Sequence, residues 1–290
     1  MANPKPKPAK SDKPERGKLD LATLAGLGLA FGGIVGGMML EGGRLNELLQ
    51  PTAALIVFGG TLGAVMVTTP MDVLKRALKA VMTAFMEKNQ SPTAIIDEVI
   101  GYATKARKNG IVSLEQEADR VADPFLRKAL NLAVDGTDLQ EIRKMMELEM
   151  SMDEQRTEGA AKVFESAGGY SPTIGIIGAV LGLIQVMKNL ANIDDVGRGI
   201  AMAFVATIYG VGAANILFLP VGNKLRARGQ AGLQMKELML EGVSGIVEGL
   251  NPKLIRTKLE AYLYSEPPAR KTRQVGTVKG AAAAPAPAKG

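Results

Sequence analysis

The chain has 290 residues, with 35 Lys and Arg against 29 Asp and Glu, a formal net charge of +6, and neither Cys nor His. Without thiol or imidazole there can be no disulfide, thiol nucleophile, zinc finger or histidine general base, so an enzyme, a metal centre or a cofactor is not expected. Hydrophobic residues make up 47%, aromatics only 4%, and Trp is absent. The apolar content is therefore aliphatic, and it is clustered.

The chain opens with "KPKPAKSDKPERGK", a basic, Pro-rich arm over residues 1–18 that is expected to be disordered. The positive excess sits largely here and in the closing "PARKTRQVGTVKGAAAAPAPAKG". No aromatic residues interleave with the basic ones to stack bases, so nucleic acid is not the expected partner. Basic ends beside a membrane read as anchors near anionic lipid.

Four stretches lack a charged side chain over the length that crosses roughly 30 Å of hydrocarbon as a helix: 21–40, 52–69, 166–187 and 199–221. A signal peptide would also have a basic start, but the first run is longer than a usual apolar core. No A-x-A-like cleavage site follows it, so it reads as a retained helix. The loops 41–51 and 188–198 are poor in Lys and Arg, whereas the arm, the segment 70–165 and the tail are rich in both. Both ends and the large central segment are therefore expected in the cytoplasm, with two membrane hairpins, 19–69 and 166–221.

Between the hairpins, residues 70–165 read as helical throughout. "MDVLKRALKAVMTAFMEKN" places Val73, Leu74, Ala77, Leu78, Val81, Met82 and Phe85 along one face. "TAIIDEVIGYATKARKNG" stops at Asn109-Gly110, and a helix capped by Thr137 or Asp138 is expected to run almost unbroken into the third span. Residues 222–265 begin helical, and 266–290 are Ala-, Pro- and Lys-rich and expected to be disordered. The fold class is an all-α integral membrane protein.

Glycines at spacings of four (Gly28/Gly32/Gly36, Gly33/Gly37, Gly59/Gly63, Gly178/Gly182) let helix backbones approach in lipid. Packing within the chain and packing between subunits both fit them. Pro172 enters the third span and Pro220 ends the fourth, which counting from the span ends places at one depth; a hinge, a wet pocket or, for Pro220, a mere helix boundary follows. Polar residues in the spans are few: Thr173, Gln185, Thr207, Tyr209 and Asn215. Thr207 has the ordinary reading of bonding its own helix. No ionisable group lies inside a span, so the chain alone cannot bind and release a proton in the bilayer.

These residues resemble the MotA/PomA family of flagellar motor stator subunits. The likeness runs from Leu19 to Leu263 and is carried by "LDLATLAGLGLAF", "ESAGGYSPTIGIIGAVLGLIQVMKNL", "GIAMAFVATIYGVGAANILFLPVGNKL" and "EGVSGIVEGLNPKLIRTKLEAYL". It implies an inner-membrane homopentamer in which five copies surround two copies of a MotB-type partner whose helix brings an ion-binding aspartate. Together they form an ion channel that drives rotation and torque for swimming. The resemblance places Pro172 and Pro220 near that aspartate, as part of the conformational response. It assigns Arg107 and Glu115, in "KARKNGIVSLEQE", to contact with a rotor switch protein of the FliG type. Sodium-using relatives tend to carry a threonine seven residues after the third-span proline; Ala179 stands there, and Ala206 precedes the retained Thr207. Alanine offers no oxygen to a hard cation, so a proton is expected rather than sodium, with a sodium-driven PomA-type stator as the alternative. An ExbB/TolQ-type energy transducer is a second rival, countered by the fourth span. A solute transporter is a third, countered by the lack of polar groups at mid-membrane.

Overall fold

The computed structural model describes residues 18–84, 86–87, 91–188 and 190–264. Phe85, the basic arm apart from Lys18, and the tail 266–290 lie outside the described residues. Nearly everything described is helix: α1 (Leu21–Leu40), α2 (Pro51–Thr68), α3 (Met71–Ala84), α4 (Pro92–Asn109), α5 (Glu115–Ala118), α6 (Pro124–Val134), α7 (Leu139–Lys188), α8 (Ile193–Val247) and α9 (Pro252–Tyr264). The sole extended pairing among the described residues is an antiparallel contact of Lys18–Leu19 with Met86–Glu87. α1, α2, α7 and α8 are each long and apolar enough to cross a membrane.

α7 and α8 set the architecture. α7 runs 50 residues, about 75 Å at 1.5 Å per residue, with Pro172 inside it. α8 runs 55 residues and contains a wide π turn, Ala213–Phe218, immediately before Leu219 and Pro220. The two pack as an antiparallel hairpin whose apolar ends form the second pair of spans. A second π turn, Leu55–Gly59, interrupts α2. Such turns follow where one residue more than a regular helix holds must be fitted into a helix.

Beyond the spans, α7 and α8 continue into a helical domain. Its core joins Ile96 and Val99 of α4, Leu126 and Leu130 of α6, Ile142 and Met146 of α7, Leu238 and Val243 of α8, and Ile255 and Leu259 of α9. The segments 70–165 and 222–265, read separately in the sequence, thus share one hydrophobic core. Burial of each such side chain contributes about 1.5–3 kcal/mol. Asp138 caps α7 by accepting from the Gln140 N–H (2.9 Å), and Gly110, at φ +81°, ends α4 where a side chain would be strained.

α3 divides the apolar face expected of it. Ala77 is buried, and Val73 and Leu74 are partly buried, against Ala160, Val163 and Ala167 of α7. Leu78 and Met82 are exposed.

Candidate functional site

The membrane halves of α7 and α8 meet along a seam of small residues. A Cβ on Gly182 would come within 2.8 Å of the Gly199 carbonyl oxygen, and one on Gly178 within 2.9 Å of Ala206 Cβ. One on Gly175 would come within 2.9 Å of the Ala206 carbonyl oxygen, and one on Gly210 within 2.6 Å of the Ser171 carbonyl oxygen. Ser171, Gly175, Gly178 and Gly182 on α7 therefore face Gly199, Ala203, Ala206 and Gly210 on α8. The glycines of the third span are used within the chain. Those of α1 are not: a Cβ at Gly26, Gly28, Gly32, Gly33, Gly36 or Gly37 would meet nothing within 4 Å, and α1 buries none of its residues.

One residue past the seam on each helix lies a second row. On α7 it is Pro172, Ile176, Ala179 and Leu183; on α8 it is Ile200, Phe204, Thr207 and Val211. The seam residues recur at steps of three and four, so each row shares a helix face. Because the helices are antiparallel, a turn of about 100° beyond the seam moves both rows to the same side of the hairpin. That side is uncovered: Ile176 is 57% and Phe204 67% exposed. α2 covers the opposite side, where Ala53 and Val57 pack on Val205 and Ala206, and Gly60 and Ile56 approach Ile174 and Gly178. The fold thus brings Pro172, Ala179 and Thr207 onto one free face that carries no charge.

Ala179 and Thr207 are at one level there, each next to the Gly178–Ala206 contact. The Thr207 hydroxyl donates to the Ala203 carbonyl (3.1 Å), and Asn215 donates to the Val211 carbonyl (2.9 Å), so both are held by their own helix. Pro220 lies further along α8, beyond the π turn, between Leu219, which packs on Gly168 of α7, and Gly222, which packs on Ala161, and it is exposed. The two prolines are not at the one depth that counting from the span ends implied. Pro172 follows Ser171, which is level with Gly210, whereas Pro220 follows Leu219, which is level with Gly168. The offset is about five residues, roughly 8 Å. The physical reason is the packing register of the hairpin together with the π turn, which no count along either helix contains.

Pro172 lacks an N–H, so the Gly168 carbonyl loses its helical donor. Gly168 packs under Leu219, the residue before Pro220. Beside it, Ser171 is fully buried and its hydroxyl has no partner among the described residues. Nothing in the sequence signals this, because a serine in an apolar run is commonplace.

Two further anchors were missed in the sequence. The Tyr209 hydroxyl donates to the Leu48 carbonyl and accepts from the Gln50 N–H (3.4 Å), tying the α1–α2 loop to α8. Asp20 caps α1, accepting from the Ala22 and Thr23 N–H groups at 3.1 and 3.3 Å, and its other oxygen accepts from Lys224 and from Arg228 (3.2 Å). The Lys224 hydrogen bond is the main reason its carboxyl is held far below the usual carboxylate range.

Ion pairs tie α7 to α8 beyond the spans. Arg226 grips Glu158 through two nitrogens (2.9 and 2.7 Å) and also reaches Glu165, which together raise the guanidinium's already high pKa. Lys236 pairs with Asp153, and Arg143 with Glu241 (3.0 Å). Burial pushes the Glu241 carboxyl up, but hydrogen bonds from Arg143 and Lys258 outweigh it and leave it lowered.

At the far end of the domain, Arg107 is in the last turn of α4 and Glu115 opens α5; both are exposed. The Lys105–Glu117 ion pair (2.8 Å) bridges the two elements just inside them and closes the turn on which both sit. Among the described residues no group of His, Cys, Asp or Glu could hold a metal ion.

A four-span helical membrane protein with a helical domain inserted between its hairpins, and an uncharged free face on the second, is the class this architecture defines. Family models agree: residues 24–109 match the motility protein A N-terminal family and residues 117–238 the MotA/TolQ/ExbB proton channel family. Motility protein A of Bacillus subtilis is 36% identical over 249 residues, covering 84% of this chain and 91% of that protein. The Campylobacter jejuni MotAB structure superposes with a TM-score of 0.82 at 32% identity, covering 86% of this chain and 98% of that one. The B. subtilis flagellar MotAB stator complex gives 0.79 at 36% identity, with coverages of 84% and 96%. The chain belongs to the MotA family of flagellar motor stator subunits.

Proposed function

We propose that this chain is the wall of a proton-driven stator, in which several copies, five by resemblance, surround the transmembrane helices of a MotB-type partner in the bacterial inner membrane. The observation that carries this reading is the free face of Pro172, Ala179 and Thr207: apolar, uncovered, and without an acid of its own. A helix bearing a carboxylate fits against it and brings the missing charge. Protonation there removes a charge from a low-dielectric site, and release restores it. Each proton crossing 100 mV supplies about 2.3 kcal/mol.

Pro172, with the Gly168 carbonyl it frees, and the π turn before Pro220 are the two places where these helices have fewest backbone bonds to break. They sit on either side of one contact, Gly168 on Leu219, so a change at the free face is passed to α8. α7 and α8 then carry it to the α4–α5 turn. There Arg107 and Glu115 meet opposite charges on a rotor switch protein of the FliG type and steer it. The domain and both ends are cytoplasmic in this reading. Ala179 faces the ion and lacks a hydroxyl, which favours a proton over sodium.

The test is copurification with a MotB-type partner and a copy count, followed by swimming in sodium-free medium with and without a protonophore. Swimming that persists without sodium and stops with the protonophore supports the reading. Dependence on sodium, or solute uptake by this chain alone in liposomes, overturns it.

A further inference from the structure

On the side of the α7–α8 hairpin away from the free face, α2, α3 and α7 enclose a groove of about 130 Å³. Its floor includes Val65, Ala77, Val163 and Ala167; its rim is Phe58, Leu62 and Leu78, the last two 55% and 60% exposed. Thr61 is the one polar residue in the lining. On α2 the lining runs from Phe58 to Val65, seven residues or roughly 10 Å, and α2 ends three residues further on, at Thr68. The groove therefore lies in the half of α2 nearer the domain.

α3 lies where the groove meets the membrane boundary, starting three residues after α2 ends. Around its circumference the order is an inner face against α7 (Val73, Ala77), an exposed apolar strip (Met71, Leu78, Met82), and then Lys75 and Lys79. Lys75 lies four residues after Met71 and three before Leu78, and Lys79 lies three before Met82, so both ammonium groups border the strip that forms the rim. Neither makes an ion pair among the described residues. An apolar strip flanked by lysines is the arrangement of a helix lying in the headgroup region.

We infer that this groove is a binding site for an anionic phospholipid, an acyl chain lying between α2 and α3 and the phosphate held by Lys75 and Lys79. The inference does not depend on the stator reading, only on membrane insertion. Two observations combine in it: an apolar slot with an exposed rim in the half of α2 nearer the domain, and two lysines at its mouth that make no ion pair among the described residues. A neighbouring copy filling the slot would leave those lysines without a counter-charge.

The chain has no Trp, so Leu78→Trp places a single reporter of this subunit at the rim. It is read in the complex with the MotB-type partner, in vesicles, against the parent complex as background. Brominated-chain phosphatidylglycerol is expected to quench it at a mole fraction about fivefold lower than brominated-chain phosphatidylcholine. Lys75→Gln with Lys79→Gln is expected to abolish the preference while quenching remains. Equal quenching by both lipids in the parent background overturns the assignment, as ordinary contact with bulk lipid. Absence of quenching overturns it too, as a groove covered by protein. If Leu78→Trp does not assemble, Leu62→Trp on the same rim gives the same readings.

Discussion

Gly210 meets Gly175 backbone to backbone: a Cβ on Gly210 would stand 3.0 Å from the Gly175 Cα and 2.6 Å from the Ser171 carbonyl oxygen. Both obstacles are main chain, so relief requires the helices to part. Gly210→Ala is expected to destabilise the purified chain by about 1–3 kcal/mol and to abolish swimming. Gly28→Ala in α1 meets open space and is expected to leave the isolated chain's melting temperature unchanged. Thermal unfolding in detergent, scored beside swimming, separates the two. A drop in complex yield with Gly28→Ala alone would mark α1 as a contact between copies.

Arg226 is the strongest tie between α7 and α8 outside the membrane. Its bidentate grip on Glu158 needs the planar guanidinium, which an ammonium cannot reproduce. Arg226→Ala is expected to cost about 1–2 kcal/mol after screening at this partly buried position, and Arg226→Lys to recover only part of it. Chemical unfolding of the three proteins checks the order.

Arg107 and Glu115 are exposed and away from the core, so Arg107→Glu or Glu115→Arg is expected to change stability by no more than about 0.5 kcal/mol. Torque is expected to fall in both, with the complex assembling normally. Tethered-cell rotation together with pull-down of the MotB-type partner measures this. Normal torque in both reversals would remove these residues from the rotor contact.

Asp20 predicts a pH dependence with a definite sign. Its folded carboxyl is held far below the usual range, so its contribution is fully present above the unfolded value of about 3.9 and fades as pH falls through the folded one. Asp20→Asn is therefore expected to melt lower than the parent by an amount constant from pH 5 to pH 8. The gap is expected to narrow in strong acid. A gap that varied across the neutral range would show that another group is responsible.

Four helices of spanning length, the cap at Asp138 and the stop at Gly110 were legible because each is local: an apolar run, a short carboxylate, a left-handed glycine. The free face was legible only in part. Pro172, Ala179 and Thr207 could be picked out singly, but that they share one side of the hairpin depends on the seam register, which joins residues some 30 positions apart. The same register displaced Pro220 from the depth expected of it. Asp20 gave no signal because its partners, Lys224 and Arg228, lie more than 200 residues away. On α3 the period was right, but nothing in it says which half of the apolar face α7 would cover.

α7 has no loop between Met146 in the domain core and Leu183 on the free face, and Pro172 is the one break in its ladder of backbone bonds. A rod of that kind transmits a twist at its membrane end to its far end, less whatever the weakened turn absorbs. In the reading proposed above, the compliance of that one turn decides how much of the twist reaches the domain.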